Sequence, residues 1–264
     1  MNEKGLQVLE QYDIRLQRSF GGRGSLMLET DQGLKLLKEF AGSQTKLPCE
    51  QVLLERLEER RVCGVDRIVP NRSGNLVSTG DYDTPYILKN WPPGRECDPR
   101  NEEELQRSMR TLARIHREAR GVWQLGEEEK RKCAGTERLR ELEKHNRELK
   151  RAQSFIRNRH KKGSFELLFL QCAEAVFRDG RLALEKLEAS GCGELYERAL
   201  REEHVCHGEY IHHNILISRQ ETAVVNFQHF EINVQVNDIC LFLRKIMEKQ
   251  NWNGRLAALR REAF

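Results

Sequence analysis

The sequence predicts an α+β protein of two lobes, a small antiparallel β-sheet lobe followed by a larger, mainly helical one. Three observations predict it. The first 90 residues alternate short apolar stretches with Gly, Asn and Asp turns, the punctuation of antiparallel strands. Trp91-Pro92-Pro93-Gly94-Arg95 then breaks both helix and strand, because proline lacks an amide donor and fixes its own φ. Beyond it, apolar residues recur at helical spacing over most of the chain. The resulting boundaries are a β-rich lobe at 1–90, a hinge at 91–97 and a helical lobe at 98–264.

Within the first lobe, Tyr12 to Phe20 and Ser25 to Thr30 read as strands around Gly21-Gly22-Arg23-Gly24. Leu34 to Phe40 reads as a third strand after the turn Asp31-Gln32-Gly33. Leu47 to Arg60 reads as a helix, with Val52, Leu53, Leu54 and Leu57 at helical spacing. Arg67 to Pro70, Asn75 to Ser78 and Tyr86 to Lys89 are further strands. After the hinge, Asn101 opens a helix through Arg117 whose Leu105, Met109, Leu112 and Ile115 share a face. Residues 136 to 190 predict an antiparallel helical hairpin inserted in the large lobe. Its first helix carries a sparse seam of Leu139, Leu142, Leu149 and Ile156, then comes a basic turn, Arg157 to Ser164. Its second helix runs from Phe165 to about Leu187. Asn237-Asp238 then reads as the cap of a helix striped by Ile239, Phe242, Leu243, Ile246 and Met247. The last residues, Arg260 to Phe264, continue a helical pattern with no stop signal, which reads as a clipped terminus.

Composition narrows the class. Charged residues make up 33% of 264, yet the net charge is only +4, so acids and bases are interleaved. A nucleic-acid footprint needs bases gathered on one face, and runs such as Glu127 to Lys132 alternate instead, reading as solvated helix faces. No apolar run approaches the roughly 20 residues of a membrane span. The first residues lack the apolar stretch of a signal peptide. Eight cysteines are scattered with no Cys-x-x-Cys pair, which argues against a zinc site and for free thiols in a reducing cytosol. Exposed members of that set would be able to crosslink if the protein later reached an oxidised layer.

The chemistry-bearing stretch is His207-Gly208-Glu209, with Asn214 five residues after the acid, then the strand Val224-Val225 and Asn226. This is the layout of a kinase catalytic loop and metal strand. There, an acid accepts the substrate hydroxyl proton, an Asn holds a metal ion, and a second acid after a short strand holds the other side. Here the first acid is Glu209 and the second position is Asn226. Ahead of it, Gly21-Gly22-Arg23-Gly24 stands between two strands, where Gly22 and Gly24 would let backbone amides approach phosphates. On the third strand Lys38 is the candidate phosphate lysine, with Lys35 the competitor. Strand alternation puts Leu34, Leu36 and Lys38 on one face and Lys35 on the other with Leu37. Glu50, Glu55 or neither partners Lys38 from the following helix.

The chain resembles the aminoglycoside phosphotransferase and choline kinase-like superfamily and, more closely, the CotS-type spore coat proteins of endospore-forming bacteria. The residues that carry this are Gly33 to Lys38, Asp66 to Asn71, Tyr86 to Trp91 with Gly94-Arg95-Glu96-Cys97, Arg110 to His116, Cys206 to Leu216 and Val236 to Trp252. The resemblance spans nearly the whole chain, and members of that family usually extend further at the C-terminus. It implies a two-lobed kinase-like fold, synthesis in the mother-cell cytoplasm and a place in the spore coat among other coat proteins, with ATP and magnesium as cofactors bound weakly or not at all. It puts Glu209 at the catalytic aspartate, Asn214 at the metal asparagine, Asn226 at the metal aspartate and Gln228 at a nearby acid.

These departures predict a pseudokinase. Asp to Glu moves a carboxylate by about 1.5 Å, and a misplacement of about 1 Å costs on the order of 10²-fold in rate. Magnesium relies on one or two protein carboxylates beside substrate phosphates, and Asn at both 214 and 226 removes them. The reading is a degenerate kinase fold with a structural or assembly role in the coat. The alternatives are an active phosphotransferase using Glu209 as base, and an adaptor whose helical hairpin holds an acidic partner.

Overall fold

The structure, a computed structural model, describes residues 5–22, 25–123 and 127–252. A meander opens it: β1 (Leu16–Gly22), β2 (Ser25–Thr30) and β3 (Gly33–Glu39) pair antiparallel, with Leu28 opposite Lys35 and Leu26 opposite Leu37. α1 (Leu47–Glu59) follows, then the short strands β4 (Gly64–Val65), β5 (Ile68–Val69) and β6 (Ser78–Thr79), and the longer β7 (Pro85–Asn90). β7 runs antiparallel to β3, placing Lys38 opposite Ile87 and Leu36 opposite Lys89, and takes β5 and β6 on its other side. After the prolines come β8 (Arg95–Glu96) and α2 (Glu102–Glu118).

The first strand, expected from Tyr12 to Phe20, starts four residues later and runs on to Gly22, and a helical turn precedes it. Leu6–Gln11 forms a 3-10 helix, because Val8, Leu9 and Tyr12 fold under the sheet against Leu28, Leu37, Tyr86 and Leu88. α1 has Pro48 in its first turn, where a missing amide proton costs nothing. Its Leu53, Leu54 and Leu57 are fully buried, each worth roughly 1.5–3 kcal/mol of transfer free energy. α2 is capped by Asn101, whose side chain accepts the amide proton of Glu104.

α3 (Glu127–Cys133), α4 (Arg138–Asn158), α5 (Ser164–Ala189) and α6 (Cys192–Arg201) come next. The chain divides into two compact units, Met1–Cys133 with Glu203–Phe264, and Ala134–Glu202. The second unit is α4 and α5 packed as an antiparallel hairpin with α6 against them, and Ala173 and Phe177 of α5 are buried. In the first unit, β9 (Val205–Cys206) pairs with β12 (Glu231–Ile232), and β10 (Ile215–Ile217) with β11 (Thr222–Val224). β10 also takes β8, and β11 takes β4 in parallel, so the hinge and the strand after α1 are stitched to the loop region. α7 (Val236–Lys249) buries Phe242 and Ile246.

Asp238 is not the cap the sequence suggests. It lies inside α7, whose N-cap is Gln235, and its carboxylate is buried and turned inward. The residues Arg260 to Phe264, and Gly24 of the glycine cluster, lie outside the described residues. The eight cysteines are all free thiols. Among the described residues no helix is long and apolar enough to cross a membrane.

Candidate functional site: a cleft lined by Lys38, Glu209, Asn214 and Asn226

Three backbone amides and two side chains, all hydrogen-bonded, hold the loop after β9. The buried Asp238 carboxylate accepts the amide protons of His207 (2.8 Å) and Gly208 (2.9 Å) and also binds His116 Nε2 at 2.9 Å. The amide proton of Glu209 goes to His207 Nδ1 (3.2 Å), so Nε2 carries the ring proton and donates it to the Val225 carbonyl (3.0 Å). His207 is thus held neutral, and burial moves its pKa below the ordinary 6.5, against the pull of Asp238. Gly208 sits at φ 80°, a region glycine enters without penalty, and any Cβ there would collide with the His229 carbonyl oxygen. Tyr210, fully buried, donates its hydroxyl to the Ser108 carbonyl at 2.7 Å.

That frame presents Glu209, Asn214, Asn226 and Gln228 along one cleft of about 640 Å³, with Leu36 and Lys38 of β3 and Trp91 of the hinge. Asn214 donates its amide to the Glu209 carbonyl (2.9 Å), and Asn226 donates its own to Asn214 Oδ1 (2.9 Å). Asn226 is in the left-handed region at φ 67°, which asparagine tolerates, and its backbone amide is anchored on Asp66 Oδ2 at 3.0 Å. The Glu209 carboxylate faces His229 Nε2 at 3.7 Å, and Glu96 pairs with His213 at 2.6 Å. Lys38 reaches across to Gln228 Oε1 at 2.5 Å. Burial, and then the nearby Lys89 ammonium, hold the Lys38 pKa below its ordinary value.

The acids of α1 are used elsewhere. Glu55 binds Arg67 at 2.7 Å, and Glu50 binds Lys89 at 2.9 Å, so neither partners Lys38. Lys89 of β7 has no exposed side-chain area and is clamped by Glu50 and, at 3.0 Å, by Asp66. Burial opposes its charge, but the Asp66 and Glu50 carboxylates outweigh it and raise its pKa. This triad was missed from sequence. Its only signal is a lone lysine in the otherwise apolar run Tyr86-Ile87-Leu88. Of the glycines, Gly22 ends β1 opposite Ser25, and Ser25 and Met27 of β2 line the cleft.

The donor set does not suit a magnesium ion. The side chains at 214 and 226 are neutral carboxamides bonded to each other, so neither gives the carboxylate oxygen that magnesium usually takes from a protein. Among the described residues no group of three or more His, Cys, Asp or Glu is placed to hold a metal.

No protein-family model matches the sequence, and no curated protein matches it either. Solved structures do. The chain superposes on an aminoglycoside phosphotransferase from Alicyclobacillus acidocaldarius with a TM-score of 0.78 and 19% identity, over 96% of this chain and 74% of that one. This chain has the fold of the kinase-like phosphotransferases. An AMP-bound spectinomycin phosphotransferase matches with a TM-score of 0.62 at 13% identity, over 95% and 80% of the two chains. A microcompartment-associated aminopropanol kinase matches at 0.53 and 15%, over 98% and 79%.

Proposed function

We propose that this chain is a degenerate kinase-fold protein of the bacterial spore coat, with a structural or assembly role among other coat proteins. Residues 1–90 and 98–264 serve as its two lobes and 91–97 as the hinge. The observation that carries the loss of catalysis is the 2.9 Å amide bond between Asn226 and Asn214. It occupies the two positions where a phosphotransferase sets a metal, with no negative charge from either. Lys38 is likewise committed to a neutral Gln228 rather than to a carboxylate. The coat assignment is supported by the resemblance of the motifs from Gly33 to Lys38 and Cys206 to Leu216 to CotS-type proteins. A nucleotide, the ligand class of the AMP-bound neighbour, is what such a cleft would take, with Lys38 as its cation.

Calorimetric titration with ATP, with and without magnesium, tests the reading. The expected result is an isotherm that magnesium does not change. Magnesium-dependent phosphoryl transfer from ATP, abolished by Lys38→Ala, would overturn it. One observation favours the second reading, an active phosphotransferase with Glu209 as base. The Glu209 carboxylate opens on the same cleft as Lys38, and its side chain is 44% exposed. On that reading Glu209→Gln abolishes turnover while nucleotide binding persists.

A further inference from the structure

Seven of the thirteen large apolar side chains that stand exposed among the described residues belong to the unit 134–202, about a quarter of the chain. Four of the seven gather at one end of it. Phe155, near the end of α4, is 67% exposed. Phe165, Leu167 and Leu168, in the first turns of α5, are 76%, 49% and 57% exposed. Between them runs the turn Arg159 to Gly163. Exposed apolar groups clustered in this way mark a binding surface rather than ordinary scatter.

The charge around them is mainly positive. From Phe155 to Leu168 the cations are Arg157, Arg159, Lys161 and Lys162, against the single carboxylate of Glu166. Glu166 is consumed within the turn, accepting the Gly163 amide proton at 2.7 Å and pairing with Arg159. Lys162 donates to the Arg159 carbonyl at 2.6 Å, and Arg157 lies 3.8 Å from Glu174. Lys161 is exposed. The Arg159 guanidinium stands 6.0 Å from the centre of the Phe155 ring, its charge beside an aromatic face.

We propose that this hairpin tip is a peripheral membrane-binding element that inserts Phe155, Phe165 and Leu168 into a lipid surface carrying anionic headgroups. The dimensions agree. At 1.5 Å of rise per residue, Leu168 lies about 6 Å into α5 and Phe155 about 4.5 Å from the end of α4. Interfacial segments bury their apolar faces by roughly 5–10 Å. Arginine and lysine at the same level reach the headgroups with their charged ends while their stems stay in the apolar layer. Two aromatic rings exposed by two thirds or more beside cations fit a lipid surface, which takes the rings into its apolar layer and meets the cations with its headgroups, better than a purely acidic peptide, which leaves the rings in water. A second copy presenting the same tip would bring like charges together.

Co-sedimentation of the full chain with vesicles tests the proposal. Phosphatidylcholine vesicles containing phosphatidylglycerol should pellet the protein, and phosphatidylcholine alone should not. Phe155→Ser combined with Phe165→Ser should weaken binding by at least about tenfold. Lys161→Glu combined with Lys162→Glu should weaken it by about fivefold or more for each charge removed. Phe155, Lys161 and Phe165 are exposed, and Lys162 is half-exposed with its ammonium on the Arg159 carbonyl, so a circular dichroism spectrum like that of the wild type is required of each variant before its binding is read. If the aromatic pair disturbs folding, the lysine pair carries the test alone. Failure to pellet with anionic vesicles, or equal pelleting by the folded double variants, would overturn the proposal. So would retention on polyglutamate without vesicle binding, which would point to an acidic protein instead.

Discussion

Lys89→Met removes one ammonium from between two carboxylates that water does not reach. Lys89 and Asp66 have no exposed side-chain area and Glu50 only 4%, with Nζ at 2.9 Å from Glu50 and 3.0 Å from Asp66. Those distances put the two acids no more than about 6 Å apart. Without the cation they face each other in a low-dielectric pocket, and Asp66 Oδ1 already has no hydrogen-bond partner among the described residues. Breaking a buried pair from one side costs about 3–5 kcal/mol, a large share of the 5–15 kcal/mol typical of whole domains. For a chain of this size, a loss near 4 kcal/mol lowers Tm by roughly 10 °C. Urea unfolding followed by far-ultraviolet circular dichroism at neutral pH reads it as a shift in midpoint at unchanged slope. The sign with pH is fixed by the raised Lys89 pKa. The stabilisation is complete below the ordinary 10.5 and is lost as pH rises through the higher folded value. A neutral triple variant, Lys89→Met with Glu50→Gln and Asp66→Asn, should recover much of the loss, since no charge then remains to be desolvated. A single variant within about 1 kcal/mol of wild type would refute the reasoning, because the acids would then have found solvent or another cation.

Two further outcomes follow from the loop. Gly208→Ala should cost more than about 2 kcal/mol, because it adds a left-handed penalty to a collision with the His229 carbonyl oxygen; a denaturation midpoint near wild type would contradict it. The buried His207 binds its proton less readily folded than unfolded, so stability should fall as pH drops below 6.5 towards its lowered folded pKa. Thermal melts from pH 7.5 to 5 should show that slope, and His207→Gln should flatten it.

The parts of the architecture that were legible in the sequence are those written in short-range patterns. The alternation Leu34-Lys35-Leu36-Leu37-Lys38 placed Leu36 and Lys38 on one face, and both line the cleft. The interval from Glu209 to Asn214, followed by a two-valine strand and Asn226, was enough to bring these residues together on paper as they are in space. What stayed hidden depends on partners distant in sequence. Asp238 looks locally like a helix cap, and only the fold reveals that His116 and the amides of His207 and Gly208 are its partners. Lys89 finds Glu50 and Asp66 across 39 and 23 residues, and no spacing rule pairs residues on a strand, a helix and a loop. That same pairing decided the open question at Lys38, since it took Glu50 away.

Asp238 grips the loop by its main chain, at His207 and Gly208, and not by the side chain that looks into the cleft. Position 209 is consequently free to change identity without disturbing the scaffold beneath it. Natural variation could rewrite the reactive edge of this molecule residue by residue while folding stayed under the guard of a carboxylate on the far side. A fold arranged in this way keeps the residues that hold it together apart from those that face its cleft.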